Sequence, residues 1–269
     1  MVIARKKING LAIYAVLYLI FLYAPVAVLP LFSFNDSQYV TFPLVGFTLK
    51  WYAQLADSQG LQYAFVNSLR VGITVAVLST ILGIFAAKAV TRYRMKRSGM
   101  LIGFIMVPLV IPEIILGIAL LMTFSISEID LSLVTVGIGH LMLCTPFSML
   151  VLVSRMEGFD KSLEEASQDL GENAWWTFWR VTFPIIFPGV VASVLLTFTI
   201  SFDEFVLAFF LSGTDATLPL HIWSQLRFPD KLPSVLALGA IIVVASTVVI
   251  FAAEMIRRGG VQSNKRSGV

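Results

Sequence analysis

Charged side chains are scarce in this chain of 269 residues. Asp, Glu, Lys and Arg together make up 13% of it, about half the share that is usual in soluble globular proteins. Hydrophobic residues make up 58%, and the mean hydropathy is +0.88. This composition excludes an ordinary soluble domain and is typical of a membrane protein. The small net charge of +3 gives no indication of a nucleic acid partner.

The chain also lacks the residue groups that catalysis, metal binding and disulfide formation require. Cys144 is the only cysteine, so no disulfide can form within the chain. The sequence contains no cluster with metal-ligand spacing, no glycine-rich phosphate loop and no motif that pairs a nucleophile with a base. His140 and His221 are interpreted as packing and interfacial residues. We therefore predict no catalytic residue, no metal and no cofactor, and we do not expect the chain to bind ATP itself.

Six apolar runs are long enough to cross a hydrocarbon core of about 30 Å. They lie at residues 11–33, 70–90, 99–124, 131–153, 185–211 and 234–255. The first run follows a basic stretch, but it is too long for a secretory signal and has no Ala-x-Ala-like cleavage site, so we interpret it as a retained helix. The sequence thus predicts an all-α membrane protein with about six transmembrane helices.

The distribution of Lys and Arg predicts the orientation of these helices. Cytoplasmic loops carry an excess of both residues. If the N-terminus is cytoplasmic, only Lys50, Arg70, Arg227 and Lys231, four of the 19 basic residues, fall on the outer side. The reverse orientation would place most of the basic residues outside. We therefore expect an even number of crossings, with both termini in the cytoplasm.

The longest connection on the expected outer side spans residues 34–66. It contains Tyr39, Trp51, Tyr52 and Tyr63, and rings of this kind are enriched at the depth of the lipid headgroups. We interpret the segment as an interfacial cap. A share in admitting a ligand is the alternative.

A polar segment, residues 156–184, separates the fourth and fifth apolar runs. Asp160 or Ser162 can cap a helix there, and Ser162 with Glu165 has capping-box spacing. The helix would carry one small, weakly apolar face, opposite a polar one. The apolar face comprises Leu163, Ala166, Ser167 and Leu170, and the polar face Glu164, Gln168 and Asp169.

The second half of this segment predicts a turn and another short helix. Gly171 suits the position after a helix, because glycine tolerates a positive φ. Asn173 can cap the second helix, which carries Trp175, Trp176 and Trp179 among its residues. Pro184 is expected to end it, because proline lacks an amide donor. From the residues alone, an interfacial amphipathic hairpin and a docking site for another protein are equally compatible with this pattern.

The polar segment resembles a known docking motif. Glu165-Ala166-Ser167, Gly171 and Val181-Thr-Phe-Pro184 are similar to the EAA-x3-G-x9-I-x-L-P loop with which permeases of bacterial ABC importers engage their ATPase subunit. Ser167 replaces the second Ala, while Val181 and Phe183 are apolar replacements, and the spacing is kept throughout. Over nearly the whole chain, the sequence resembles the spermidine/putrescine permease family of the PotC type. The matching stretches are Gly46–Tyr52, Arg92–Arg94, Glu157–Asp160, Asp169–Gly171, Ser201–Glu204 and Leu218–Ser224.

The resemblance implies a type I ABC importer permease fold. Residues 1–269 would form a single transmembrane permease domain in the bacterial inner membrane, with 156–184 as its cytoplasmic docking loop. The implied partners are ABC ATPase subunits, a homologous second permease, a periplasmic substrate-binding protein and membrane lipid. ATP hydrolysis would reside in the ATPase subunits, so this chain would not be an enzyme. The docking residues would be Glu165, Ala166, Ser167, Asp169, Gly171 and Pro184.

Three acidic residues lie inside apolar runs. They are Glu113 in the third run and Asp203 and Glu204 in the fifth. A charged carboxylate at the centre of a lipid-exposed helix costs roughly 2.5–3.5 kcal/mol. No Lys or Arg occurs from Ser98 to Ser154 or from Val181 to Leu226, so neither run carries its own counter-ion. A cationic substrate passing these three residues would supply one. The alternative is that Glu113 pairs with the second permease and that Asp203 or Glu204 caps a broken helix.

Two prolines are expected to interrupt the third helix beside Glu113. Pro108 and Pro112 deprive the carbonyls of Phe104 and Pro108 of their usual helical donors. Irregular backbone at membrane depth is tolerated only beside protein or water. At 1.5 Å per residue, Glu113 and Asp203 would lie roughly 20–27 Å from the cytoplasmic ends of their helices, in the outer half.

Taken together, the residues and the resemblance predict a permease subunit that moves a polyamine across the inner membrane. The same machinery carrying another organic amine or another solute is the first alternative. An ion-coupled secondary transporter, using the three acids as a proton relay, is the second.

Overall fold

The predicted apolar runs fold into helices. The structure, a computed structural model, describes residues 10–92, 98–245 and 247–248. The chain divides into two units, of which one comprises Gln59–His221 and the other the residues before and after it. The helices are α1 (Gly10–Ser33), α2 (Lys50–Ala56), α3 (Gln59–Arg92), α4 (Ser98–Val110), α5 (Glu113–Ile126), α6 (Leu133–Glu157), α7 (Ser162–Asp169), α8 (Ala174–Thr177), α9 (Phe183–Asp203), α10 (Val206–Leu211) and α11 (Leu218–Gln225).

Within the described residues, four helices are long and apolar enough to cross a membrane, or five if one bent pair counts as a span. The four are α1, α3, α6 and the continuous helix Ala174–Asp203, and the bent pair is α4 with α5. The helix α3 begins at Gln59, so residues 59–66 belong to it and not to the predicted outer connection. The sixth predicted run is helical over 232–245 and at 247–248, and the rest of it lies outside the described residues.

The third predicted run is a broken helix. The chain bends by 99° between α4 and α5. The break lies at Pro112, which has an extended ψ of 131°, whereas Pro108 is accommodated inside α4. A proline disfavours helical backbone in the residue before it, which accounts for the end of α4. Because of this bend, α5 continues from Glu113 in a different direction from α4.

The fifth predicted run, 185–211, is also divided. The helix α9 ends at Asp203, and Glu204 has an extended ψ of 117° before α10 begins at Val206. This break leaves backbone polar groups without helical partners. Within a membrane, such groups are tolerated only beside protein or water. Here α10 packs against α5, the second half of the broken third run.

The unit that contains α1 and α2 is held together by the segment between these helices. Trp51 is 3% exposed, and its indole N–H donates to the carbonyl of Asn35 at 2.9 Å. The hydroxyls of Tyr52 and Ser33 lie 2.7 Å apart, and the Asn35 side chain accepts from the amide of Val45 at 2.9 Å. The ring of Trp51 is therefore buried within this unit, with its polar atom bonded there, while the interfacial position of the segment stays a prediction.

The other unit is built on α3, α6 and α9, which pack against one another. Small and polar residues line their contact, as is usual between membrane helices. The Ser148 hydroxyl lies 2.7 Å from that of Ser193, which lies 3.0 Å from that of Thr80. A Cβ at Gly83 would overlap Ser148, so the absence of a side chain there allows α3 and α6 to approach closely.

The buried residues of this unit form one main apolar cluster. Its members are Val71, Val75, Leu116, Phe124, Val136, Leu143, Cys144, Leu207, Ala208 and Leu211. His140 packs beside it with its Nδ1 atom 2.9 Å from the Ser201 hydroxyl. These contacts fix the ends of α5, α6, α9 and α10 relative to each other, and so position the acidic residues described below.

Candidate functional site

The segment 156–184, called the docking segment after its predicted role, contains a turn and two short helices. Gly171 has a φ of +95°, and its amide donates to the carbonyl of Gln168 at 2.9 Å. The amide of Glu172 donates to the carbonyl of Ser167 at 3.2 Å, which completes the usual closure of a helix by a left-handed residue. Asn173 then caps α8, because its Oδ1 atom accepts from the amides of Trp175 and Trp176 at 3.1 and 3.0 Å. The turn and the second cap are thus as predicted.

The start of α7 agrees with one of the two predicted caps and not with the other. The residue before the helix is Lys161, whose side chain makes no capping bond, and the proposed capping box of Ser162 with Glu165 does not form. Asp160, the other predicted cap, accepts from the amide of Ser162 at 2.9 Å. This bond to the backbone stabilises the carboxylate and lowers the pKa of Asp160.

Pro184 does not end the second helix, contrary to the prediction. The helix α8 continues through a π-helical turn at Phe178–Thr182 into α9, where Pro184 lies in the first turn. Pro184 thus lies inside the continuous helix Ala174–Asp203, where it removes one amide donor. The π turn shifts the hydrogen-bond pattern just before this position, so the helix continues past the ring.

A buried ion pair anchors α7. The Arg92 Nε atom, at the end of α3, lies 2.8 Å from Glu164 Oε2, with side chains that are 10% and 11% exposed. The Thr182 hydroxyl donates to Glu164 Oε1 at 2.5 Å, and the Arg92 guanidinium lies 4.9 Å from the centre of the Phe159 ring. A single carboxylate therefore joins α7 to the end of α3 and to the turn before α9.

The opposite side of α7 is open. Leu163 is 48% exposed and Leu170 is 88% exposed, and Ala166 is exposed as well. Glu165 is also exposed and pairs with Lys161 at 3.2 Å, one turn before it. The predicted polar face is thus divided, because Glu164 lies inside while Gln168 and Asp169 stay exposed. The weakly apolar face points away from the rest of the chain, apart from Ser167, whose hydroxyl lies 3.2 Å from that of Thr177.

A second candidate site lies at the bend between α4 and α5. A cavity of 260 Å³ is lined by the carboxylates of Glu113 and Glu204 among apolar side chains. The apolar lining is Pro108, Leu109, Ile111, Leu143, Phe147 and Ile200. Among the described residues that line it, no basic side chain is present to neutralise the two acids. In the described part of the chain, no three His, Cys, Asp or Glu side chains converge to hold a metal ion.

The three predicted intramembrane acids differ in their surroundings. Glu113 is exposed in the first turn of α5, where a carboxylate is favoured by the helix dipole. Glu204 is 9% exposed, and its Oε1 atom accepts from the amide of Leu207 at 2.8 Å. Asp203 ends α9 with an exposed side chain and is not part of the described cavity lining. The structure therefore brings Glu113 and Glu204 together and leaves Asp203 beside them.

Two residues of the docking segment's anchor, Glu164 and Thr182, were not among the predicted site residues. Glu164 belongs to the predicted polar face, and Thr182 stands between Val181 and Phe183, so the sequence gives no sign that these two side chains meet. For Arg92 the sequence offers one signal, because this residue lies in Arg92–Arg94, one of the stretches that resemble the PotC-type family.

Comparison with curated proteins gives close relatives over most of the chain. The chain is 33% identical over 254 residues to the spermidine/putrescine transport system permease protein PotC of Escherichia coli (strain K12), covering 94% of each chain. It is 35% identical over 241 residues to the putrescine transport system permease protein PotI of the same strain, covering 87% of this chain and 85% of that one. Identity to PotC of Haemophilus influenzae is 32% over 239 residues, covering 88% and 92%.

A solved structure and a protein family also match. The fold is similar, with a TM-score of 0.69 and 17% identity, to the crystal structure of a bacterial ABC transporter involved in the import of the acidic polysaccharide alginate, covering 96% of this chain and 99% of that one. The predicted all-α, type I ABC importer permease fold is thereby confirmed. Residues 79–259, more than half of the chain, match the family described as binding-protein-dependent transport system inner membrane component. The chain therefore belongs to this family of multi-pass inner-membrane transport subunits.

Proposed function

We propose that this chain is the permease subunit of an ATP-driven importer that carries a polyamine such as putrescine or spermidine. The relatives named for transport of these two amines share 32 to 35% of its residues over most of the chain. The fold alone does not set the charge of the solute, because an alginate importer has the same fold. The side chains of the translocation path must therefore decide it.

The observation that carries the proposal is the cavity with two carboxylates and an apolar lining. A polyamine has ammonium groups separated by methylene chains. Glu113 and Glu204 would each attract an ammonium group, while Leu109, Leu143 and Phe147 would contact the methylene chain. The missing counter-ion of the two acids would then arrive with the substrate. Asp203, exposed beside the cavity, would extend the acidic path.

The partners follow from the proposed role. ABC ATPase subunits would bind the open face of the docking segment through Glu165, Ala166 and Asp169, with Ser167, Gly171 and Pro184 shaping that segment. A homologous second permease would complete the translocation path, and a periplasmic protein would deliver the amine. Lys and Arg distribution supports a cytoplasmic docking segment and cytoplasmic termini. The family's dependence on a binding protein disfavours an ion-coupled secondary transporter.

The proposal is tested by uptake of radiolabelled putrescine or spermidine into vesicles containing the assembled complex, its binding protein and internal ATP. Glu113→Gln and Glu204→Gln should each lower uptake by about tenfold or more, because each removes a charge partner from a desolvated ammonium group. Glutamine keeps the carbonyl oxygen that accepts from Leu207, so Glu204→Gln should preserve the local backbone. The yield of assembled complex should therefore be unchanged.

Glu128→Gln is the matched control, since Glu128 is exposed beyond the end of α5 and lies outside the described cavity lining. It should leave uptake unaltered. Transport of sulfate in preference to a polyamine by the unmodified complex would contradict the proposal. Full activity in a Glu113→Gln, Glu204→Gln double variant would contradict it equally, and uptake driven by a proton gradient without ATP would favour the secondary transporter.

A further inference from the structure

A long apolar groove runs between α3 and the helix formed by α8 and α9. Its volume is 540 Å³, twice that of the acidic cavity. The α3 side is a single helical stripe, in which Val77, Ile81, Ile84 and Phe85 lead to Lys88. At 1.5 Å per residue, this stripe extends over about 17 Å. Neither the translocation path nor the open face of α7 includes this groove.

One end of the groove is chemically different from the rest. The Lys88 Nζ atom lies 4.9 Å from the centre of the Phe178 ring. The rings of Trp175 and Trp179, whose centres are 5.8 Å apart, stand at the same end. Trp175 is 63% exposed and Trp179 is 42% exposed. Tryptophan combines an apolar ring with one N–H donor, which suits the boundary between acyl chains and headgroups.

The charge at this end has no acidic partner in the described part of the chain, where Lys88 forms no ion pair. The other basic residue near the end of α3, Arg92, is already paired with Glu164. Lys88 is also half-buried, and its Nζ atom lies against the Phe178 ring. A negative group placed at this end would therefore gain a charge-assisted hydrogen bond.

We propose that the groove binds one anionic phospholipid. Its phosphate and headgroup would contact Lys88 and the two indole N–H groups, and one acyl chain would lie along the α3 stripe toward Val77. The match is one of charge and polarity, since a cation stands at one end of a groove whose remaining wall is apolar apart from Thr80. Lys88 lies at the end of α3 that is expected to be cytoplasmic, so the lipid would belong to the inner leaflet. This proposal does not depend on which solute is transported.

The test uses the assembled complex in vesicles that contain equal amounts of phosphatidylglycerol and phosphatidylethanolamine. A photoreactive benzoylphenylalanine in place of Ile81 reports what occupies the groove after illumination, and mass spectrometry identifies the adduct. The same residue in place of Leu195, which is 61% exposed on α9 outside the groove, reports the bulk lipid. We expect phosphatidylglycerol adducts at Ile81 to be enriched about fivefold over those at Leu195, since one lysine near an anionic membrane surface contributes about that factor.

Variants of Lys88 test whether its charge causes the enrichment of phosphatidylglycerol adducts. Lys88→Gln should abolish the enrichment, and Lys88→Arg should keep it. Lys161→Gln, which removes an exposed lysine of the docking segment, should leave it unchanged. Three results would each overturn the proposal: equal adduct ratios at Ile81 and Leu195, an enrichment that survives Lys88→Gln, and an adduct at Ile81 with another protein chain. The last would show that a partner subunit covers the groove. None of these outcomes bears on the uptake of polyamines.

Discussion

Glu164 and Glu165 are neighbours in the sequence with opposite surroundings. Glu164 holds a buried ion pair with Arg92 and a hydrogen bond from Thr182. Glu165 makes an exposed pair with Lys161, and such pairs contribute little to stability. The difference follows from the helix, because residues one position apart point about 100° away from each other. The first residue attaches α7 to its own chain, and the second is available to a partner.

Replacing Glu164 with alanine should loosen the docking segment. The change leaves the Arg92 guanidinium buried without its carboxylate, and breaking a buried pair in this way costs about 3–5 kcal/mol. Hydrogen exchange of the α7 amides in the assembled complex measures this cost as a local loss of protection. Glu165→Ala is the matched control and should cost at most about 0.5 kcal/mol, because its pair is exposed.

The same experiment can separate the ion pair from general loss of packing. An Arg92→Gln, Glu164→Gln double variant should recover part of the protection that Glu164→Ala loses, since no unpaired charge remains buried. Equal protection of α7 in the Glu164→Ala and Glu165→Ala variants would mean that Arg92 and Glu164 do not anchor the helix.

At the scale of elements, the two broken helices share one arrangement. The helix α5 begins at Glu113 after the bend, and α10 begins after Glu204, which accepts from the amide of Leu207. Each break therefore places an acidic residue at or just before the start of a helix, and both residues line one cavity. Broken membrane helices that meet beside a cavity are a common basis for solute sites in other transporters, because irregular backbone at this depth needs protein or water around it.

The turn at Gly171 is the element that shapes the docking segment. A β-branched residue is strained at its φ of +95°, with a cost of about 1–2 kcal/mol or more. Gly171→Val should therefore uncouple the ATPase, which is measured as a loss of the stimulation by liganded binding protein in the assembled complex. The space around Gly171 is open, so the strain comes from the backbone and not from a clash.

Gly158→Val is the control for that variant. Gly158 has a φ of −77°, which all residues tolerate, and a Cβ there would meet only ordinary contacts, the nearest at 3.8 Å. Stimulation should be retained in this variant, and both variants should reach the membrane. If Gly171→Val also kept full stimulation, the assignment of 156–184 as the ATPase-docking segment would be wrong.

At the scale of the whole molecule, the orientation in the membrane remains a prediction from Lys and Arg. Val45 is 71% exposed and Leu170 is 88% exposed, and they lie in segments expected on opposite sides. In spheroplasts, a membrane-impermeant maleimide should label a Val45→Cys variant at once, and a Leu170→Cys variant only after the membrane is permeabilised. Cys144 is fully buried, so the unmodified chain should give little background.

The reverse pattern, with Leu170→Cys labelled from outside, would show that the docking segment faces away from the cytoplasm. That result would exclude docking of a cytoplasmic ATPase and would leave the fold assignment intact. Labelling of both positions in intact spheroplasts would place an even number of crossings between them, or none, in conflict with the expected topology.

The local features of this protein could be predicted because their signals lie within a few residues. Apolar runs of about 20 residues predict membrane helices, and the one at 11–33 coincides with α1. The turn at Gly171 and the cap at Asn173 follow from backbone preferences of single residues. The family was recognisable for the same reason, since the docking motif has fixed spacing in the sequence. The acids were found because a charge in an apolar run is unusual.

The sequence by itself therefore determined the class and most of the membrane helices, while the tertiary structure decided which of their residues meet. The pairing of Arg92 with Glu164 and the shared cavity of Glu113 and Glu204 join residues that are far apart along the chain. The bend at Pro112 and the continuation of the helix past Pro184 also required it, because a proline can end, bend or begin a helix according to the packing around it. Local preferences fix the backbone of single turns, whereas burial and pairing depend on how helices pack.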